Sequence, residues 1–120
     1  MKPVDPAAIR AAKRLSEATG YLELGMTRHA LACLEGIKDA GPWSAVAELL
    51  RAEAARRERR FGDAADSLEA AAQLMPPPIG KSLWLAVSMC HRRAGNVDRA
   101  IESLAHARGA FPPRARPKAE

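Results

Sequence analysis

The feature that most constrains this chain is a pattern that returns at intervals of 34 and 36 residues. Ala30, Leu34, Ile37 and Pro42 are followed by Ala64, Leu68, Ala71 and Pro76, and then by Ala100, Leu104, Ala107 and Pro112. Within each block the apolar positions fall at i, i+4 and i+7, which is one face of an α-helix. The same shifts relate Ala18, Ala52 and Ser88 upstream, so a second helix belongs to each unit. Between the two helices lie Gly25-Met26-Thr27, Arg59-Arg60-Phe61 and Gly95-Asn96-Val97. Glycine ends a helix readily because it accepts the left-handed backbone, and Thr27 and Asn96 can cap the helix that follows. The middle unit has no glycine in that slot, which predicts a turn displaced to Gly62-Asp63.

Composition agrees with helices. Hydrophobic residues make up 48% of the chain but aromatic ones only 4%; the apolar content is mainly alanine and leucine, which favour helix over strand. Asp5 followed by Pro6 reads as a cap with proline in the first turn, opening a helix to about Leu24. Further helices are predicted near 28–40, 43–60, 63–75, 80–94 and 97–109. Pro76-Pro77-Pro78 reads as an extended spacer that accounts for the longer second interval. Residues 1–5 form a short lead, 6–111 one domain of three units at about 11–44, 45–78 and 81–114, and 112–120 a basic, proline-rich tail expected to be disordered.

In residue type and spacing the chain resembles the tetratricopeptide repeat family from roughly Ala11 to Arg114. The third unit matches most closely, with Trp84, Val87, Ser88, Gly95, Ala100, Leu104, Ala107 and Pro112 in signature positions. The first has Ala18, Tyr21, Gly25, Ala30, Leu34 and Pro42, but Arg14 where a large apolar residue is usual. The second has Ala52, Phe61, Ala64, Leu68, Ala71 and Pro76, with Glu48 in that apolar slot. The resemblance implies an all-α, right-handed solenoid of three antiparallel helix pairs. The physics is consistent with it: small residues let helices approach closely, the leucines fill space between units, and stacked pairs share a core that one pair could not bury.

In such an array the first helices of successive pairs line a concave face, on which the family resemblance places a bound peptide or helix. Helical spacing puts Leu15, Thr19, Leu22 and Glu23 of the first unit there, then Leu49, Glu53, Arg56 and Arg57, then Leu85, Met89, Arg92 and Arg93. Leu15, Leu49 and Leu85 share one slot and predict an apolar floor, with Met89 as an adaptable contact. Arg56, Arg57, Arg92 and Arg93 predict a positive end, so the expected partner is an acidic, partly apolar protein segment. The lysine and asparagine clamp that some members of the family use to hold chaperone tails is missing: Leu15, Thr19, Ser82 and Ala86 stand in its place.

Other functions find little support. Lys and Arg total 19 against 14 Asp and Glu, a net charge of +5, and Arg56-Arg57-Glu58-Arg59-Arg60 raises nucleic-acid binding as an alternative. Glu53 can pair with Arg57 one turn away, however, and no aromatics are interleaved for base stacking. Cys33 and Cys90 lack disulfide or zinc spacing, His29 and Cys33 supply only two ligands, and His91 occupies the slot of Tyr21, so neither metal nor cofactor is expected. No phosphate loop or nucleophile elbow occurs, which points away from an enzyme. The longest apolar run, Leu83 to Val87, is far too short to span a membrane, and a cytoplasmic protein is expected. Ile101, Leu104 and Ala105 on the last helix lack an evident cover, which predicts a homodimer through that end.

Overall fold

A computed structural model describes residues 5–37 and 41–109. Six α-helices follow one another: α1 (Pro6–Glu23), α2 (Thr27–Glu35), α3 (Ser44–Arg57, entered through a short 3-10 turn at Gly41–Trp43), α4 (Phe61–Leu74), α5 (Ile79–Arg93) and α6 (Val97–Ala107). No strand occurs among the described residues, and none of these helices is long and apolar enough to cross a membrane. The predicted elements are all present, but α2 stops at Glu35 instead of reaching 40. The expected tail lies outside the described residues.

The α1 start is as the sequence predicts: Asp5 accepts a hydrogen bond from the Ala7 amide at 3.0 Å, and Pro6 occupies the first turn, where its missing N–H costs nothing. Two of the three internal turns end on glycine as expected, and the middle one corrects the expectation. Gly25 and Gly95 take left-handed φ values of 77° and 85°, and Arg59 takes the same place at 62°. Each turn then closes with the same bond five residues back, Met26 to Tyr21, Arg60 to Ala55 and Asn96 to His91, all at 2.8–2.9 Å. The middle turn is therefore not displaced; Gly62 and Asp63 lie inside α4. An L-residue in this region costs about 1–2 kcal/mol, and the Arg59 guanidinium lies over the Phe61 ring, 5.6 Å from its centroid, as a partial offset. Nor do side chains cap the second helices. Asn96 makes no capping bond, and Thr27, already inside α2, donates instead to Glu58 at 2.9 Å.

Packing follows the repeated columns. Ala18, Ala52 and Ser88 are buried, as are Ala30, Ala64 and Ala100, and the Ser88 hydroxyl donates to the Ala100 carbonyl at 2.8 Å. Side chains this small let consecutive helices lie close. Each helix packs on the next, α4 lies against both α3 and α5, and α1 also meets α3. One core cluster gathers Leu15, Ala18, Leu22, Ala30, Leu34, Ala47 and Ala54, and another Ala55, Ala64, Ala65 and Cys90 with Leu68 against them. The closest approach is at Gly80, where a Cβ would sit 2.4 Å from the Met75 carbonyl oxygen.

Where the repeat departs from apolar residues, arginines take over by hydrogen-bonding helix ends. Arg51 pairs with Glu48 at 3.1 Å and donates to the Leu34 carbonyl near the end of α2 at 3.1 Å. Arg14 reaches the Cys33 carbonyl at 3.5 Å, and Arg57 donates to the Leu22 carbonyl near the end of α1. The Leu34 and Leu22 carbonyls also accept backbone N–H bonds from the turns that follow, so these two arginines add a second, charged donor at the negative end of the helix.

Candidate functional site

Between α3 and α5 lies an open groove of about 320 Å³. One wall is Leu49, Ala52, Glu53 and Arg56, spaced along a single face of α3; the other is Ala86, Met89 and Cys90 of α5, and Leu68 of α4 forms the base. The groove exists because Ala52 and Ala86 are short. Met89 stands over it 61% exposed, an unbranched thioether able to adapt its shape to an apolar guest.

Charge is concentrated at one end. The Glu53 carboxylate accepts from Arg56 at 2.8 Å and from Arg57 at 2.7 Å. Partial burial works to raise the Glu53 pKa, but the two guanidinium hydrogen bonds and their charges outweigh it and hold the carboxyl below its ordinary value. The hydrogen bond to Glu53 raises the Arg56 pKa in turn. Arg56 and Glu53 both line the groove and pair with each other, while Arg57 shares the same carboxylate from outside the lining. Cys90 is buried, which pushes its thiol pKa up, against the opposing pull of Arg56 and Arg93.

The expected face is thus brought together only in part. Leu49, Glu53, Arg56 and Met89 line the groove. Leu15 and Leu22 do not: both are buried in the first core cluster, because α1 turns this stripe against α2 and α3. Thr19 is exposed and its hydroxyl donates back to the Leu15 carbonyl at 2.9 Å. Leu85, 41% exposed, stands outside the groove lining. Arg57 is drawn to the end of α1 by its bond to Leu22, and Arg93 stacks over Phe61 at 5.2 Å. Arg92 borders a different depression, between α5 and α6. The residues missed were Ala52, Leu68, Ala86 and Cys90, and the small-residue column containing Ala52 was the available signal.

The basic run is largely engaged. Arg60 pairs with Glu58 and Asp63, both at 3.2 Å, while Arg56 and Arg57 share Glu53 and Arg59 covers Phe61. The histidines are packed. His29 lies beside Tyr21 with ring centroids 5.2 Å apart, and His106 stacks on Trp84 at 4.3 Å in a polar cleft shared with Glu69, Arg99 and Glu102. His91 is fully buried and, among the described residues, neither ring nitrogen has a hydrogen-bond partner; Glu69 is 4.0 Å from its Nε2. Burial, with Arg99 nearby, lowers its pKa against the pull of Glu69, Asp66 and Glu102. Among the described residues no group of three or more His, Cys, Asp or Glu could hold a metal ion. Comparison of the chain with protein-family models, curated proteins and solved structures finds no match.

Proposed function

We propose that the chain is a tetratricopeptide-like solenoid of three antiparallel helix pairs, α1–α2, α3–α4 and α5–α6, that holds an acidic, partly apolar segment of another protein. The observation that carries this reading is the α3–α5 groove, in which the apolar side chains of Leu49, Leu68 and Met89 meet the Arg56 guanidinium at one end. An extended peptide or short helix would bury apolar side chains against Leu49, Leu68 and Met89, while its carboxylates face Arg56. The three turns with one hydrogen-bond pattern support the register of the pairs. Charge steers the encounter and selects the guest, and apolar burial supplies most of the affinity.

The test uses the full chain and a fluorescent peptide that alternates glutamate with leucine. Met89→Glu puts an anion beside the apolar floor at a solvent-exposed position, so the fold is retained and affinity falls by about tenfold or more. Arg56→Glu weakens binding and flattens its salt dependence. Unchanged affinity in both folded variants overturns the reading. Binding of a basic peptide at equal strength also counts against it.

A further inference from the structure

The last helix pair ends on a depression of about 230 Å³ between α5 and α6, bordered by Ser88, Arg92, Val97, Ala100, Ile101 and Leu104. Thirty-six residues earlier these slots hold Ala52, Arg56, Phe61, Ala64, Ala65 and Leu68. There, α5 supplies the cover: Ala64 and Ala65 are completely buried and cluster with Cys90. At the end of the array Val97 is 61% and Ile101 62% exposed. A surface that is closed inside the molecule is open here among the described residues.

The opposite end carries the complementary helix. Seventy residues before Ala86, Cys90 and Arg93 of α5 stand Ser16, Gly20 and Glu23 of α1. Ser16 and Glu23 are exposed, and a Cβ at Gly20 would meet nothing within 4 Å. Gly20 stands in the last turn of the 18-residue α1, where alanine would favour the helix more, yet no contact among the described residues requires it.

We propose that copies of this chain associate head to tail, with α1 of one copy seated in the α5–α6 depression of the next, as α5 is seated on α4 within each copy. Bulk is exchanged across the joint: inside the molecule Cys90 lies against Ala65, and between copies the vacant side of Gly20 receives the larger Ile101. Charge changes in the same register. Arg56 and Arg93 both act on Cys90 from within the chain; at the joint between copies their slots hold Arg92 and Glu23, an attractive pair. The two faces differ and every copy carries both, so association continues past a dimer, into a ring where the rotation between copies closes and a filament where it does not. The inference rests on the three-pair register proposed above.

Sedimentation velocity on the full chain, from low micromolar to millimolar concentration, tests it. The mean mass climbs beyond that of two chains. Gly20→Trp fills the receiving hollow and Ile101→Arg blocks the depression, both at open positions, so each variant stays folded by circular dichroism and is monomeric. Mixed together they form a complex of one copy each and nothing larger, because one intact face remains on each. Should Ile101→Arg unfold, Ile101→Gln replaces it. Glu23→Arg weakens association about tenfold, and adding Arg92→Glu to the same chain restores it. A wild type that is monomeric throughout overturns the proposal. So does one that stops at a dimer insensitive to Gly20→Trp, which is the mark of symmetric pairing. Peptide binding measured on the Gly20→Trp monomer separates the two readings: binding retained by a non-associating wild type removes only the stacking, and stacking without binding removes only the groove function.

Discussion

Replacing His91 by Phe isolates the cost of a buried, unsatisfied ring. The imidazole is fully buried, and neither nitrogen is hydrogen-bonded among the described residues. A neutral histidine carries one donor and one acceptor, and leaving buried polar groups unpaired costs about 1–3 kcal/mol. Phenylalanine removes both groups and nearly keeps the shape, but its greater bulk gives back about 1 kcal/mol through tighter packing. The net expectation is a gain of about 1 kcal/mol at pH 7, or about 4 °C or more in Tm for a domain of this size. The pH dependence follows from the lowered pKa, caused first by burial and then by Arg99. The unfolded ring, with a pKa near 6.5, binds a proton before the folded one does, so wild-type stability falls as pH drops through 6.5. The variant lacks this term, and its advantage widens on acidification. Urea denaturation followed by circular dichroism at pH 7.5 and 5.5 measures both quantities. A loss of 1 kcal/mol or more at pH 7.5, or an advantage that shrinks on acidification, would refute the argument by showing that the ring has partners that stabilise it.

Two backbone predictions use the same assay. Gly80→Ala sets a Cβ 2.4 Å from the Met75 carbonyl oxygen, and since backbone must move to relieve it, a loss of about 2–3 kcal/mol is expected; a change below 0.5 kcal/mol would show that α4 and α5 separate freely. Gly95→Ala forces an L-residue to φ +85° and costs about 1 kcal/mol net, whereas Gly20→Ala, inside α1 with open space around it, gains about 0.5–1 kcal/mol in the monomer; equal signs for the two would contradict the turn geometry.

Much of the fold was legible because helix periodicity and the small-residue columns are local signals that tertiary packing reinforces. Ala30, Ala64 and Ala100 read as one column from spacing alone, and all three are buried. The middle turn departs from the expectation because the left-handed position does not require glycine. Arg59 shows that identical hydrogen bonding on both sides can impose that conformation on an ordinary residue, at a cost that propensity cannot foresee. The site was harder to read. Leu15, Leu49 and Leu85 share a register, but register gives only the direction of a side chain, and exposure depends on what lies opposite. Leu15 meets α2 and α3 and is core, Leu49 borders the groove, and Leu85 stands outside it. The arginines diverge for the same reason: Arg57 finds a helix end within reach, Arg93 an aromatic face, and Arg56 only Glu53. Equivalent slots thus become different sites according to their neighbours. Ile101 has the slot of the buried Ala65 and is exposed, with no helix packed over it among the described residues.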